Sequence, residues 1–152
     1  MQLRLVYLTS CCLPLLGQTS RVSSVTKAPG EVVTLTIKAV SQPARSPVAL
    51  KWEVIFPVQL MEMETDSPEI SAAARDSGKS LQCTARKPYA STCMLSGGKN
   101  PIVDGTVAIF HFRIKAMASP ATTTLRIEKA EATTVDLQKW TLNDTEVTVN
   151  IR

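Results

Sequence analysis

Ile102-Val103-Asp104-Gly105-Thr106-Val107-Ala108-Ile109-Phe110-His111-Phe112-Arg113-Ile114 is the stretch that decides the fold class. An Asp-Gly turn opens directly into alternating residues, and a two-residue period belongs to a β-strand, whose successive side chains point to opposite faces. Ala108, Phe110, Phe112 and Ile114 share one face, which predicts burial. On the other face Val107 and Ile109 give way to His111 and Arg113, which predicts a mixed, solvent-facing side. The segment reads as a half-buried strand of a packed sheet.

The same period recurs on both sides of it. Val33, Leu35, Ile37 and Ala39 alternate with Val32, Thr34, Thr36 and Lys38 within 31–40. Val48, Leu50, Trp52, Val54 and Phe56 alternate against Lys51 and Glu53, with Trp52 as a core anchor. Pro57 ends that run, because proline cannot donate to a ladder. Residues 58–64 read as a short extended or one-turn helical piece, and 66–79 as a polar surface excursion with a helical turn near Ile70 to Ala74. Residues 81–86 and 89–95 form a hairpin around Lys87-Pro88-Tyr89. Later come a strand at 123–129, a looser strand or loop at 130–137, a short strand flanked by Trp140 and Leu142, and a last one at 146–152 with Val147, Val149 and Ile151 inward. Eight or nine short strands with regular turn signals predict an all-β, two-sheet jelly-roll sandwich.

Composition agrees. A chain of 152 residues is one domain's worth and buries roughly two-thirds of the surface it exposes unfolded. Hydrophobic residues at 44% and charged ones at 20% exclude wholesale disorder, while nine prolines and recurrent Val, Ile and Thr argue against helices. The net charge of +4 is dispersed, with no run of five Lys or Arg, so the footprint of a nucleic-acid binder is missing.

Leu3 to Leu16 is apolar, too short to span a bilayer and of the length of a signal-peptide core, so residues 1–20 read as a leader and 21–152 as the domain. Two processing outcomes fit. Leu8-Thr9-Ser10-Cys11 resembles a lipobox, which would lipidate Cys11 and anchor the chain to a membrane, while Gly17-Gln18-Thr19 supplies small residues for ordinary cleavage near 17–20, the favoured reading. A misplaced start is a third. Cys83 and Cys93 stand equally far from Pro88, opposite each other in the hairpin, so a disulfide is geometrically reasonable in an exported chain. Two free thiols are the alternative for a cytosolic one.

Three stretches, in order, are similar to cohesin domains, the modules that hold dockerin-bearing proteins outside bacterial cells. Ala28-Pro29-Gly30-Glu31-Val32-Val33-Thr34-Leu35-Thr36-Ile37 resembles the opening strand, Leu50 to Leu60 a second, and Asp104 to Ile114 the late strand that follows Asp-Gly. The resemblance covers about residues 20–152 and implies a nine-stranded jelly-roll sandwich, export, no catalysis, and a dockerin-type protein partner held on a sheet face. Where the family carries Tyr-Asp-Pro this chain has Ile55-Phe56-Pro57, without the aspartate.

Val107, Ile109, His111 and Arg113 are the candidate contact residues, since apolar side chains rimmed by charge often mark interfaces. A solvated sheet histidine is the plainer reading of His111. Glu62, Glu64, Asp66 and Glu69 lack the glycine and alternating Asp/Asn of a calcium loop and read as a solvated acidic segment. With one histidine in the chain and no second Cys pair at ligand spacing a zinc site is not expected, and no cofactor is expected. No Gly-x-Ser-x-Gly occurs, and Gly97-Gly98-Lys99 lacks the rest of a phosphate loop. A carbohydrate-binding module of the same architecture is the alternative, with Trp140 and Tyr89 as the aromatics on which a polysaccharide would stack.

Overall fold

The computed structural model describes residues 2–6, 23–40 and 46–152. In chain order the elements are β1 (Gln2–Val6), β2 (Ser23–Lys27), β3 (Val32–Val40), β4 (Ala49–Ile55), β5 (Met61–Met63), β6 (Glu69–Ile70), α1 (Ala72–Asp76), β7 (Ser80–Lys87), β8 (Ala90–Ser96), β9 (Gly105–Ile114), β10 (Ala121–Thr133), β11 (Lys139–Thr141) and β12 (Thr145–Ile151). They form two sheets. The smaller has the order β1-β3-β9-β5 with β6 also on β9; the larger has the order β2-β12-β10-β4-β8-β7 with β11 also on β10. Pairing is antiparallel except between β2 and β12, which run parallel.

The interior follows from the alternation. Val33, Leu35, Ile37 and Ala39 of β3 face Leu50, Trp52 and Val54 of β4, Leu125 and Ile127 of β10, and Val147, Val149 and Ile151 of β12 in one continuous buried core. Phe110 and Phe112 of β9 lie at its centre with ring centroids 6.3 Å apart, and Phe56 tilts against Phe112 at 5.2 Å. Full burial of such side chains contributes roughly 1.5–3 kcal/mol each, which makes this layer the main source of stability.

Twelve strands are described where the periodicity predicts eight or nine. The two residues of β6 and three of β5 are too few to show a period, and β2 has Val25 as its one apolar residue. In β10 the two expected segments are one strand. Its buried residues switch from odd (Leu125, Ile127) to even numbers (Ala130, Ala132), because a bulge between Glu128 and Glu131 resets the register. Lys129 takes up the extra residue at φ 52°. The helical turn expected near 70–74 is α1, two residues later: Ser71 caps it by accepting a hydrogen bond from Ala74 N at 3.1 Å.

Cys83 and Cys93 pair directly across β7 and β8 and are disulfide-bonded, with Cα atoms 4.1 Å apart. Behind this hairpin, buried Lys79 donates from Nζ to Val48 O at 2.9 Å and Gly97 O at 2.7 Å, tying the start of β4 to the loop after β8. Gly97 packs so closely that a Cβ there would lie 2.6 Å from the Gly78 oxygen. Of the expected leader, Gln2–Val6 are described and pair with the second half of β3; Cys11 and residues 17–20 lie outside the described residues.

Candidate functional site

The register of β3 against β9 sets Val32 opposite Arg113, Thr34 opposite His111 and Thr36 opposite Ile109 on the outer side of the smaller sheet. Little of this side is open. Thr36 is buried, Val32, Thr34, Lys38, Ile109 and His111 are half-buried, and Arg113 is exposed. His111 is engaged locally. Its Nδ1 lies 3.1 Å from Thr34 Oγ1, its backbone N donates to Ser67 Oγ at 2.8 Å, and its carbonyl accepts from Glu64 N at 2.9 Å. Arg113 is ion-paired with Glu64 and donates to Gly30 O at 3.0 Å.

Val107 does not belong to this surface. The sequence places it outward with Ile109, but the β3–β9 register shifts between Ile37 and Lys38, so Val107 and Ala108 are both fully buried. Simple alternation fails across a bulge. The chain leading into α1 also closes over this end, with Ser71 N donating to Val107 O at 3.1 Å. The sequence candidates thus reduce to Ile109, His111 and Arg113, the latter two already holding partners from their own chain.

The outer side of the larger sheet differs. Four adjacent strands align residues in cross-strand rows: Glu128, Glu53, Thr92 and Thr84 in one, Glu131, Lys51, Met94 and Gln82 in the next. At ~4.8 Å per strand these rows run about 15 Å. Lys51, Met94, Gln82 and Thr84 are exposed in these rows, as are Thr122, Arg126 and Arg86 beyond them, and Met94 keeps 45% of its surface open. Where β10 bulges, a hollow of about 500 Å³ opens between Lys51, Glu53, Arg86, Thr92, Lys129 and Glu131. A second, of about 460 Å³, lies round the corner over Phe56, Val58 and Met63, rimmed by Glu62, Lys87 and again Arg86.

The charges here are mostly matched. Lys129 Nζ meets Glu53 Oε2 at 2.7 Å, Arg126 meets Glu128 at 2.7 Å, and Lys139 meets Glu131 at 3.3 Å. The hydrogen bond to Glu53, and then that carboxylate's charge, push the Lys129 pKa up from its ordinary value. Sequence reasoning did not single out this face. The polar half of the β4 alternation, Lys51 and Glu53, was its one legible signal.

Of the other candidates, Trp140 is half-buried and packs against the core, while Tyr89 is 42% exposed beneath Lys87 Nζ at 5.5 Å. The pair therefore offers one exposed ring. Among the described residues no three His, Cys, Asp or Glu side chains converge to hold a metal ion, and no helix is long and apolar enough to cross a membrane.

No family model matches the chain, and no curated protein matches it in sequence. Solved structures do match it in shape. The sixth cohesin of Acetivibrio cellulolyticus scaffoldin B, solved with a Cel5 dockerin, superposes with a TM-score of 0.68 at 14% identity, over 86% of this chain and 95% of that one. A Clostridium thermocellum cohesin of OlpA, in a type I cohesin–dockerin complex, gives 0.70 at 12% identity, over 86% and 95%. The cohesin module of a Clostridium perfringens family 33 glycoside hydrolase gives 0.71 at 9% identity, over 84% and 90%. At these identities the likeness is one of architecture: the chain folds as the two-sheet jelly-roll sandwich of the cohesin modules.

Proposed function

We propose that this chain is a non-catalytic protein-binding module that acts outside the cytoplasm and receives a dockerin-type partner on the outer side of β10, β4, β8 and β7. The observation that carries the reading is the match in fold to cohesins solved with dockerins bound. The choice of face rests on exposure. This sheet presents a flat run of threonines and charges with Met94 and Ile55 among them, whereas the smaller sheet offers Arg113 beside half-buried neighbours. Such a mixture of polar rows with isolated aliphatic anchors suits a reversible protein contact. The disulfide fits an oxidising compartment, which supports export.

The test is calorimetric titration of the full chain with recombinant dockerin modules encoded by the same host. Binding that falls at least tenfold in Met94→Asp, and stays within twofold in His111→Ala, supports the reading. Absence of binding to every dockerin tried would overturn the partner. Loss of binding in His111→Ala with Met94→Asp unaffected would return the contact to β9.

A further inference from the structure

We infer that the partner reaches the larger sheet through an acidic side chain seated between Lys51 and Arg86, with a neighbouring aliphatic side chain in the hollow over Phe56, Val58 and Met63. This deepens the protein-binding reading and rests on it. The inference starts from the unmatched charges. Both carboxylates that line the 500 Å³ hollow already hold a cation, Glu53 that of Lys129 and Glu131 that of Lys139. Lys51 and Arg86 line the same hollow, and their side chains have neither an ion pair nor a hydrogen bond among the described residues. The lining itself holds three cations, Lys51, Arg86 and Lys129, against Glu53 and Glu131, and the excess of one positive charge becomes two once Lys139, outside the lining, is set against Glu131. A bound carboxylate would meet both Lys51 and Arg86 without displacing an existing pair, whereas a bound cation would have to compete with Lys129 or Lys139.

Position supplies the second half. Arg86 belongs to both hollows, so they adjoin across the β7 edge. The 460 Å³ hollow has Phe56, Val58, Met63, Ala85 and Pro88 in its lining, an apolar surface whose rim carries Lys87 and Arg86 and the one carboxylate of Glu62. Successive side chains of an extended segment point to opposite sides, so a segment laid along the edge between the two hollows can turn an acidic residue to one and its aliphatic neighbour to the other. Charge complementarity of this kind selects partners and speeds encounter more than it adds affinity, and it weakens with salt.

The test uses a six-residue peptide alternating leucine and glutamate, its leucine–glutamine counterpart, and polygalacturonate as an acidic polysaccharide. Each is titrated into the ¹⁵N-labelled full chain at low and at 0.5 M salt. Support is a saturable shift of the Lys51, Thr92, Met94 and Arg86 amides with the glutamate peptide, at least fivefold weaker with the glutamine peptide, at high salt, and in a Lys51→Glu/Arg86→Glu variant of unchanged melting temperature. Equal response to both peptides, or shifts elsewhere on the surface, would overturn the inference. Saturation by polygalacturonate at lower concentration than the peptide would overturn it in favour of a polysaccharide occupant. Because no dockerin is used, a negative result here leaves the dockerin titration standing, and a failed dockerin titration leaves this one readable.

Discussion

The two sheets contribute alike to the core and unlike to the surface. Inward, β9 gives Ala108, Phe110, Phe112 and Ile114, and β4 gives Leu50, Trp52 and Val54, all buried to 1% exposure or less. Outward, the smaller sheet spends its polar side chains on its own chain, with His111 on Thr34 and Arg113 on Glu64 and Gly30. The larger sheet leaves Lys51, Met94, Gln82, Thr84 and Arg86 to solvent. The difference teaches that a two-residue period marks which side of a strand is dry. It does not mark which of two wet sides is free to bind.

Substitutions sharpen this contrast, and the interior ones come first. Phe112→Ala, which removes a ring touching both Phe56 and Phe110, is expected to cost about 3–5 kcal/mol in chemical denaturation. Equivalence of the sheets inside would break if Trp52→Ala on the facing sheet cost less than about 1 kcal/mol by the same measurement. Next is Lys79→Met, which strips the donor from the Val48 and Gly97 carbonyls and is expected to cost about 2–3 kcal/mol. Burial holds the Lys79 pKa below its ordinary 10.5. Between the lowered value and 10.5 the unfolded chain binds more protons than the folded one, so stability rises with pH across that window. A pH series of melting curves should show this rise in the parent and not in Lys79→Met. A neutral amine still has two hydrogens for its two carbonyls, so deprotonation need not break the tie.

Reducing Cys83–Cys93 opens a ten-residue separation and is expected to lower stability by roughly 2–3 kcal/mol, read from the denaturation midpoint with and without reductant. The smallest effects separate the two outer sides. His111→Ala forfeits the Thr34 contact and should cost about 1 kcal/mol, whereas Met94→Asp on the open side should stay within about 0.5 kcal/mol. An outcome in which Met94→Asp destabilised the fold more than His111→Ala would reverse the distinction drawn between the faces.

Most of the architecture was legible because the core strands alternate: β4 and β12 do so strictly, and β3 and β9 do so apart from Thr36 and Val107, so the inward residues their periods name are buried. The hairpin disulfide was legible from symmetry about Pro88. The errors fall where alternation breaks. At Val107 and at Lys129 a bulge shifts parity by one residue, and a period counted from either side cannot place it. The candidate face was the least legible part. Its bareness depends on which segments end up beside or across each sheet, and its central hollow depends on the β10 bulge, a tertiary outcome with no local signature beyond the step from Leu125 and Ile127 to Ala130 and Ala132.

The parallel pairing of β2 with β12 has a mechanical consequence. Ser23 lies beside Val147 and Lys27 beside Ile151, and Arg152 N continues the ladder to Lys27 O at 3.1 Å. Tension applied backward from Ser23 and forward from Arg152 therefore acts along the two strands in opposite directions, loading all the rungs of that seam together. Tension applied at the open end of the β7–β8 hairpin, from Ser80 and Ser96, would peel its rungs singly as far as the Cys83–Cys93 disulfide. In single-molecule pulling the first geometry should yield at a higher force than those peeling rungs, so this seam would keep the fold closed while the chain is under strain.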